Sequence, residues 1–250
     1  MDANHRKSCW ERAGDVWWAR LGGRSILLLL LVLVGASCGK KSTSPSDGGD
    51  IPRFVRTDFI ELDKIAKISK FRSTEGHDYP DDYESCRSMK HYYCPKGGDP
   101  GQSHQPSWRD IRIFAPVTGT VSELREEWAG TQVWIASRDY PKLWFGIFHI
   151  SLRVPLNVGD PVTEGTVLGN HGSDETMSDI AVALCDNNKR KLYSFFDFMT
   201  DSLFATYQAR GIATRDDLII SRAARDADSV TCSGQAFIGG GTIPGWVLLN

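Results

Sequence analysis

Two stretches of the sequence decide the fold class, Ile113-Phe-Ala-Pro-Val-Thr-Gly-Thr-Val121 and Val154-Pro-Leu-Asn-Val-Gly-Asp-Pro-Val-Thr-Glu-Gly-Thr-Val-Leu-Gly169. Each has the pattern of a strand, a glycine turn and a second strand, with glycine where a positive φ is needed and valine or leucine facing inward. The pattern therefore predicts a mainly β domain with paired antiparallel strands.

Further short strands surround these two stretches. Several alternate apolar with polar residues, as a half-buried antiparallel sheet does. Helical spacing of apolar residues predicts a short helix behind Asp63, through Ile65 and Ile68, and a packed helix within Tyr193–Gln208. The glycine-rich tail Val230–Asn250 is interpreted as a closing hairpin. The predicted strands are Ile111–Ala115, Gly119–Leu124, Gln132–Ala136, Leu143–His149, Val167–Leu168 and Ile180–Leu184.

The first 37 residues show the three parts of a secretory signal peptide. A basic-leaning start precedes the uncharged apolar run Ile26–Val34, and the small residues Gly35, Ala36 and Ser37 follow it. An apolar run this short falls below the roughly 20 residues that a transmembrane helix needs. We therefore expect the protein to be exported.

Cys38 stands where bacterial lipoproteins carry the cysteine that is acylated after cleavage. We expect Cys38 to be lipidated, which would anchor the protein to the envelope membrane. Cleavage after Ala36, with release into the periplasm or the extracellular space, is the alternative. The polar stretch after Cys38 cannot bury enough apolar surface to fold. The predicted division is a signal peptide at 1–37, a flexible tether at 38–55 and a β domain at 56–250, with its core at about 70–185 and a disulfide-tied, partly helical tail at 186–250.

Four cysteines follow Cys38, and an exported chain meets an oxidising environment, so two disulfides are predicted. The sequence leaves three connectivities open. We expect Cys86 to pair with Cys94, and Cys185 to pair with Cys232, which would tie the tail to the last core strand. These cysteines have no C-x-x-C spacing, so a zinc cluster built from them is not expected.

The balance of charges argues against some classes of partner. The chain has 29 Lys and Arg against 31 Asp and Glu. Because the two nearly cancel, no strong field favours nucleic acid, and we expect no nucleic-acid partner.

The two strand, turn and strand stretches resemble those of the lysostaphin-type, LytM-like zinc endopeptidases, which cleave peptidoglycan cross-links. Between them, Leu143-Trp-Phe-Gly-Ile-Phe-His-Ile-Ser151 is similar to the family strand that ends in a Tyr-x-His-Leu-type motif. Upstream, His77-Asp-Tyr-Pro-Asp81 matches the family pattern H-x-x-x-D. The resemblance covers about 70–185. It implies a duplicated-hybrid-motif antiparallel β domain, similar to a barrel-sandwich hybrid, with short flanking helices.

The resemblance also implies a catalytic zinc ion with three protein ligands and an open position for water. Carried over residue by residue, His77 and Asp81 are the first two metal ligands, and His149 hydrogen-bonds the water or the tetrahedral intermediate. The family's H-x-H pair falls on Asp179 and Ala181. Alanine has no donor atom for a metal, so the usual site cannot form.

Two residues are candidates to compensate for Ala181. Asp179 would still point into the groove, because residues two apart on a strand share a face. His171, in the turn after Gly169, is a possible substitute ligand. A site with these substitutions would favour zinc less than the usual one.

The sequence therefore predicts an exported envelope protein or lipoprotein whose peptidase-like domain has lost catalysis and binds peptidoglycan peptides or an envelope protein. An active zinc metalloendopeptidase with a substituted third ligand is the first alternative, with His149 and Asp179 as catalytic residues. An adaptor of the biotinyl/lipoyl type is the second, although no exposed lysine stands in a tight hairpin between the two stretches. The cation- and aromatic-rich segment Cys86–Cys94 either lines the rim of the groove or packs on its own aromatic side chains.

Overall fold

The computed structural model describes residues 52–101 and 107–250. The predicted signal peptide, the lipidation site Cys38 and nearly all of the tether lie outside these residues. Within them, no helix combines the length and apolar character needed to cross a membrane. The internal contacts of Pro52–Asn250 group this part of the chain into one unit.

Strands make up most of the regular structure, and every pairing between them is antiparallel. The expected fold class, a mainly antiparallel β domain, is therefore confirmed. In chain order the strands are β1 (Ile65–Ser69), β2 (His91–Pro95), β3 (Arg112–Phe114), β4 (Gly119–Glu127), β5 (Gly130–Ser137), β6 (Leu143–Leu152), β7 (Pro161–Val162), β8 (Val167–His171), β9 (Ser178–Asp186), β10 (Lys189–Tyr193), β11 (Val230–Ser233), β12 (Ala236–Gly240) and β13 (Trp246–Leu248).

The main sheet has 11 strands and runs in the order β13-β1-β2-β9-β6-β5-β4-β7. It branches at β6, which pairs with β9 along Leu143–Ile147 and with β8 along Ile150–Leu152. The other branch strands are β10, which pairs with β9, and β3, which pairs with β8. Between these two pairings, at Phe148 and His149, β6 changes its partner.

The helices are short and follow or flank the sheet, as expected. The α-helices are α1 (Phe195–Phe198), α2 (Asp201–Gln208) and α3 (Arg222–Ala227), and single 3-10 turns lie at Leu62–Lys64, Trp108–Asp110 and Arg215–Leu218.

Two of the helix predictions need correction. The helix predicted through Ile65 and Ile68 is wrong: this segment is β1, because β2 and β13 pair with it on both sides. The single helix predicted within Tyr193–Gln208 is divided into α1 and α2. Thr200 adopts an extended backbone and its side chain accepts a hydrogen bond from the backbone of Leu203, as a helix N-cap does, so a new helix begins there.

Both predicted disulfide pairings are wrong. Cys86 pairs with Cys232, with their Cα atoms 5.6 Å apart. Cys94 is a free, buried thiol, and burial raises its pKa to about 11. Cys185 is disulfide-bonded, but Cys232 is not its partner. The physical reason lies in the tail: the hairpin β11–β12 packs on the loop before β2, where the backbone of Asp78 donates to the carbonyl of Gln235 at 2.8 Å.

The segment that contains Cys86 and Cys94 does not line a rim. Met89, Lys90, Tyr92 and Tyr93 are all buried, and β2 lies between β1 and β9 inside the main sheet. Of the two interpretations of this segment, packing on its own aromatic side chains is the one that the structure shows.

Candidate functional site

Four ionisable side chains meet near the middle of the main sheet. We call them the Lys90 cluster: Lys90, Glu127, His149 and Asp179. Lys90 directly precedes β2, and Asp179 lies on β9 opposite Tyr92 of β2. The Nζ atom of Lys90 contacts Oδ2 of Asp179, and the two side chains are only 2% and 0% exposed. Burial is the largest single effect and lowers the pKa of Lys90, but Asp179, Tyr92 and Tyr79 together raise it above its usual value.

His149 lies on the other side of Asp179. Its Nε2 atom is 3.5 Å from Oδ1 of Asp179, and its Nδ1 atom is 3.4 Å from Oε2 of Glu127. Burial raises the pKa of Glu127, and a positive charge on His149 opposes that shift. The imidazole therefore stands between two carboxylates, at ion-pair rather than hydrogen-bond distance from each.

The backbone of His149 is unusual for its residue type. It adopts φ of 60° at the point where β6 leaves β9, a left-handed conformation that few residues other than glycine adopt. Such backbone outliers concentrate at functional sites. The branch of the sheet thus sets the position of the imidazole.

The Trp134 indole packs over Gly146, the neighbour of Ala181 in the sheet. Ala181 pairs with Gly146, and Gly146 pairs with Trp134, so the three residues form one row across β9, β6 and β5. A Cβ atom on Gly146 would overlap the Trp134 ring. With its amide oriented to satisfy both neighbours, Gln132 accepts from Nε1 of Trp134 at 2.7 Å and donates to Glu127 at 3.1 Å. Gly146 therefore makes room for the tryptophan.

The residues predicted as the first two metal ligands lie in the loop before β2. Nδ1 of His77 is 2.9 Å from the carbonyl oxygen of Asp78, and burial, followed by the charge of Lys90, lowers the pKa of His77. Asp81 accepts backbone hydrogen bonds at both carboxylate oxygens, from Glu84 at 2.7 Å and from Leu192 of β10 at 2.8 Å. Asp81 thus fixes the loop to β10.

His171, the predicted substitute ligand, lies on β8. Its Nε2 atom is 2.8 Å from the carbonyl oxygen of Thr176, so this nitrogen carries the proton. Burial lowers the pKa of His171 to about 4, and its Nδ1 atom is buried without a hydrogen-bond partner. The charges of His149 and Asp179 act on the pKa of His171 in opposite directions. The hydrogen bond holds the ring towards Thr176.

These side chains do not fit a zinc centre as they are arranged. Both oxygens of Asp81 are bound by backbone N–H groups, and Asp179 is paired with an ammonium. Among residues 52–101 and 107–250, no three His, Cys, Asp or Glu side chains are grouped closely enough to hold a metal ion.

Sequence reasoning placed His149 and Asp179 in one site, and the structure brings them together. Sequence reasoning missed Lys90, Glu127 and the exposed Trp128. A signal for Lys90 was present: it is a lysine inside the apolar and aromatic run from Met89 to Tyr93. Lysine in such a run is seldom buried unless it is paired.

Trp128 forms the turn between β4 and β5 next to the Lys90 cluster. Its side chain is 71% exposed, and its ring lies 6.2 Å from that of His149, measured between centroids. A tryptophan this exposed presents a flat apolar face to solvent. This face is available to a ligand.

Comparisons with known proteins give partial similarity only. No protein-family model matches the chain, and no curated protein matches it. Three solved structures are similar over part of their length. CbpA from L. salivarius REN has 18% sequence identity and a TM-score of 0.24, and the match covers 30% of this chain and 49% of that one. A putative glycyl-glycine endopeptidase LytM from Ruminococcus gnavus has 15% identity and a TM-score of 0.35, with 60% of this chain and 61% of that one covered. Lysostaphin has 14% identity and a TM-score of 0.29, with 50% of this chain and 52% of that one covered.

This chain therefore spans about half to three fifths of the length of those structures. Similarities with such low identities and TM-scores do not assign it to their family.

Proposed function

We propose that this chain is an exported envelope protein whose peptidase-like β domain is not catalytic and binds peptidoglycan. The contact between the Lys90 ammonium and Asp179 carries the proposal. It puts a protein cation beside His149 and Asp179, the two residues that the resemblance assigns to catalysis.

A buried ammonium opposes a metal ion at this place. Two positive charges within a few Å repel strongly where water is excluded, and Lys90 and Asp179 are buried. A metal bound by Asp179 would also take away the partner of Lys90 and leave its charge unpaired, which is costly in a protein interior. The arrangement therefore favours the ion pair over a metal centre.

Trp128 supports binding by this region. Aromatic side chains offer a rigid apolar face with little loss of conformational entropy, and exposed apolar groups beside polar ones often mark interaction sites. The rings of a glycan and the side chains of a stem peptide both present apolar faces. The signal-like segment and Cys38 would place the domain in the compartment that contains this polymer.

Co-sedimentation with purified peptidoglycan sacculi tests the binding. We expect the full chain to sediment with sacculi, and Trp128→Ala to weaken the apparent affinity by about tenfold, the effect of losing roughly 1.4 kcal/mol. Leu248→Ala is the matched control, because Leu248 on β13 is also 71% exposed but lies several strands from Trp128 in the sheet. Absence of sedimentation, or equal effects of the two variants, would contradict the proposed binding.

A hydrolysis assay on the same sacculi tests the non-catalytic part. We expect no soluble fragments above those released by a Glu127→Gln, His149→Gln double variant. Fragment release by the wild type that this variant lacks would favour the enzymatic alternative.

A further inference from the structure

The side chains of Lys90 and Asp179 meet under conditions that favour a covalent bond between them. Nζ contacts the Asp179 carboxylate, and both groups are almost completely buried. The two residues are held by neighbouring strands, since β2 pairs with β9 at Tyr92 and Asp179. We infer that Lys90 and Asp179 condense to an intramolecular isopeptide bond, a modification that is independent of the proposed binding function.

Aromatic rings enclose the reacting amine. Nζ of Lys90 lies 4.8 Å from the ring centre of Tyr79, 4.8 Å from that of Tyr92 and 4.2 Å from that of Phe148. The rings attract the ammonium and so hold it against Asp179, and the burial of Lys90 and Asp179 shields the product from hydrolysis.

The atoms of the reaction balance within the pair. One proton moves from the Lys90 ammonium to the Asp179 carboxylate, which leaves an amine and a carboxylic acid. The lone pair of Nζ attacks Cγ, the bond from Cγ to one carboxyl oxygen breaks, and that oxygen leaves as water with two of the protons that Nζ carried. The products are one secondary amide and one water molecule, and no oxidant or co-reactant is consumed.

His149 is placed to assist the proton transfers. Its Nε2 atom is 3.5 Å from Oδ1 of Asp179, and Glu127 lies 3.4 Å from Nδ1. With a hydrogen on Nε2, the imidazole can polarise the Cγ carbonyl and donate a hydrogen bond to the leaving oxygen. In the product the same nitrogen can donate a hydrogen bond to the amide carbonyl.

The amide also relieves an electrostatic cost. A buried ion pair gains little net stability, because removing two charges from water offsets most of their attraction. The ion pair is the state before condensation, and the amide that replaces it is neutral, fills the same space and still leaves Asp179 without a carboxylate for a metal ion. The reaction occurs once in each folded chain and requires the fold, because 88 residues separate Lys90 from Asp179 in the sequence.

Peptide mapping of the full chain tests the inference without any variant. We expect tryptic digestion to skip Lys90, and mass spectrometry to find one branched peptide that contains both residues and is lighter by one water molecule than its two parts. Recovery of a peptide cleaved after Lys90, with Asp179 in a separate unmodified peptide, would overturn the inference. That outcome would leave sacculus binding unaffected, so failure of the two proposals can be distinguished.

The intact masses of two variants provide a second test of the bond. Asp179→Asn can form the same amide by losing ammonia, so its mass should equal that of the wild type. Lys90→Met cannot form the bond. Its mass should therefore exceed that of the wild type by the difference between a Met and a Lys residue plus one water molecule. If the wild type and Asp179→Asn instead differ by the mass difference between the two residues, the bond is absent and the inference is wrong.

Discussion

At the residue scale, the Lys90–Asp179 pair makes a prediction about stability. Lys90→Met leaves the buried Asp179 carboxylate without a partner, which we expect to lower the free energy of unfolding by about 3–5 kcal/mol. Urea denaturation measures this. The control Lys142→Met removes a pair with Asp186 in which both side chains are largely exposed, and it should cost less than about 1 kcal/mol. Similar losses in the two variants would show that Lys90 is not paired in a dry interior.

A second residue-scale prediction concerns Asp58, whose carboxyl accepts a hydrogen bond from the hydroxyl of Tyr207. Burial raises the pKa of Asp58 from 3.8 to about 7, although Tyr207 opposes the shift. Between these values the folded state binds more protons than the unfolded state, so the contribution of Asp58 to stability falls as pH rises from about 4 to 7.

Denaturation of the wild type and of Asp58→Asn across this pH range checks the sign. We expect the wild type to lose stability relative to the variant as pH rises to about 7, and the difference to level off above it. A difference that grows with pH would mean that the carboxyl is stabilised in its charged form.

At the scale of elements, the row of Trp134, Gly146 and Ala181 fixes how β5, β6 and β9 pack. Gly146→Ala introduces a methyl group into the Trp134 ring, and we expect it to destabilise the domain by about 1–3 kcal/mol, as overpacking does. Gly239 on β12 is the matched strand glycine, because a Cβ there meets nothing within 4 Å. Thermal unfolding compares the two variants, and an equal cost would show that the indole does not pack over Gly146.

The Cys86–Cys232 disulfide belongs to the same scale, because it joins the hairpin β11–β12 to the loop before β2. Cys232→Ser should speed hydrogen exchange in Val230–Gly240, since the cross-link limits local opening of the hairpin. Exchange in β5 and β6 should stay unchanged. Equal protection of the hairpin with and without the cross-link would contradict this role.

For the whole molecule, local patterns predicted the local structure. The strands around Ile113–Val121 and Val154–Gly169 follow from glycine turns and alternating residues, which act over a few positions. The segment at Ile65 misled the prediction because pairing with two neighbouring strands outweighed its helical spacing. The ion pair of Lys90 with Asp179 depends on strand order, which no local pattern specifies.

The disulfides show the same limit. Cys86 is 146 residues from Cys232, and only the docking of the tail hairpin brings them together. His149 and Asp179 were predicted because the resemblance to a known family supplied long-range information. The same resemblance assigned metal ligation to His77 and Asp81, which lie in a loop and form other contacts.

The metal content of the purified full chain tests the central claim most directly, because Lys90 contacts Asp179 at the position where the proposed function excludes a zinc ion. Elemental analysis after dialysis against zinc should find far less than one zinc per chain, with the same value for His77→Ala and Asp81→Ala. One zinc per chain that is lost in His77→Ala would contradict the account and favour a working metallopeptidase.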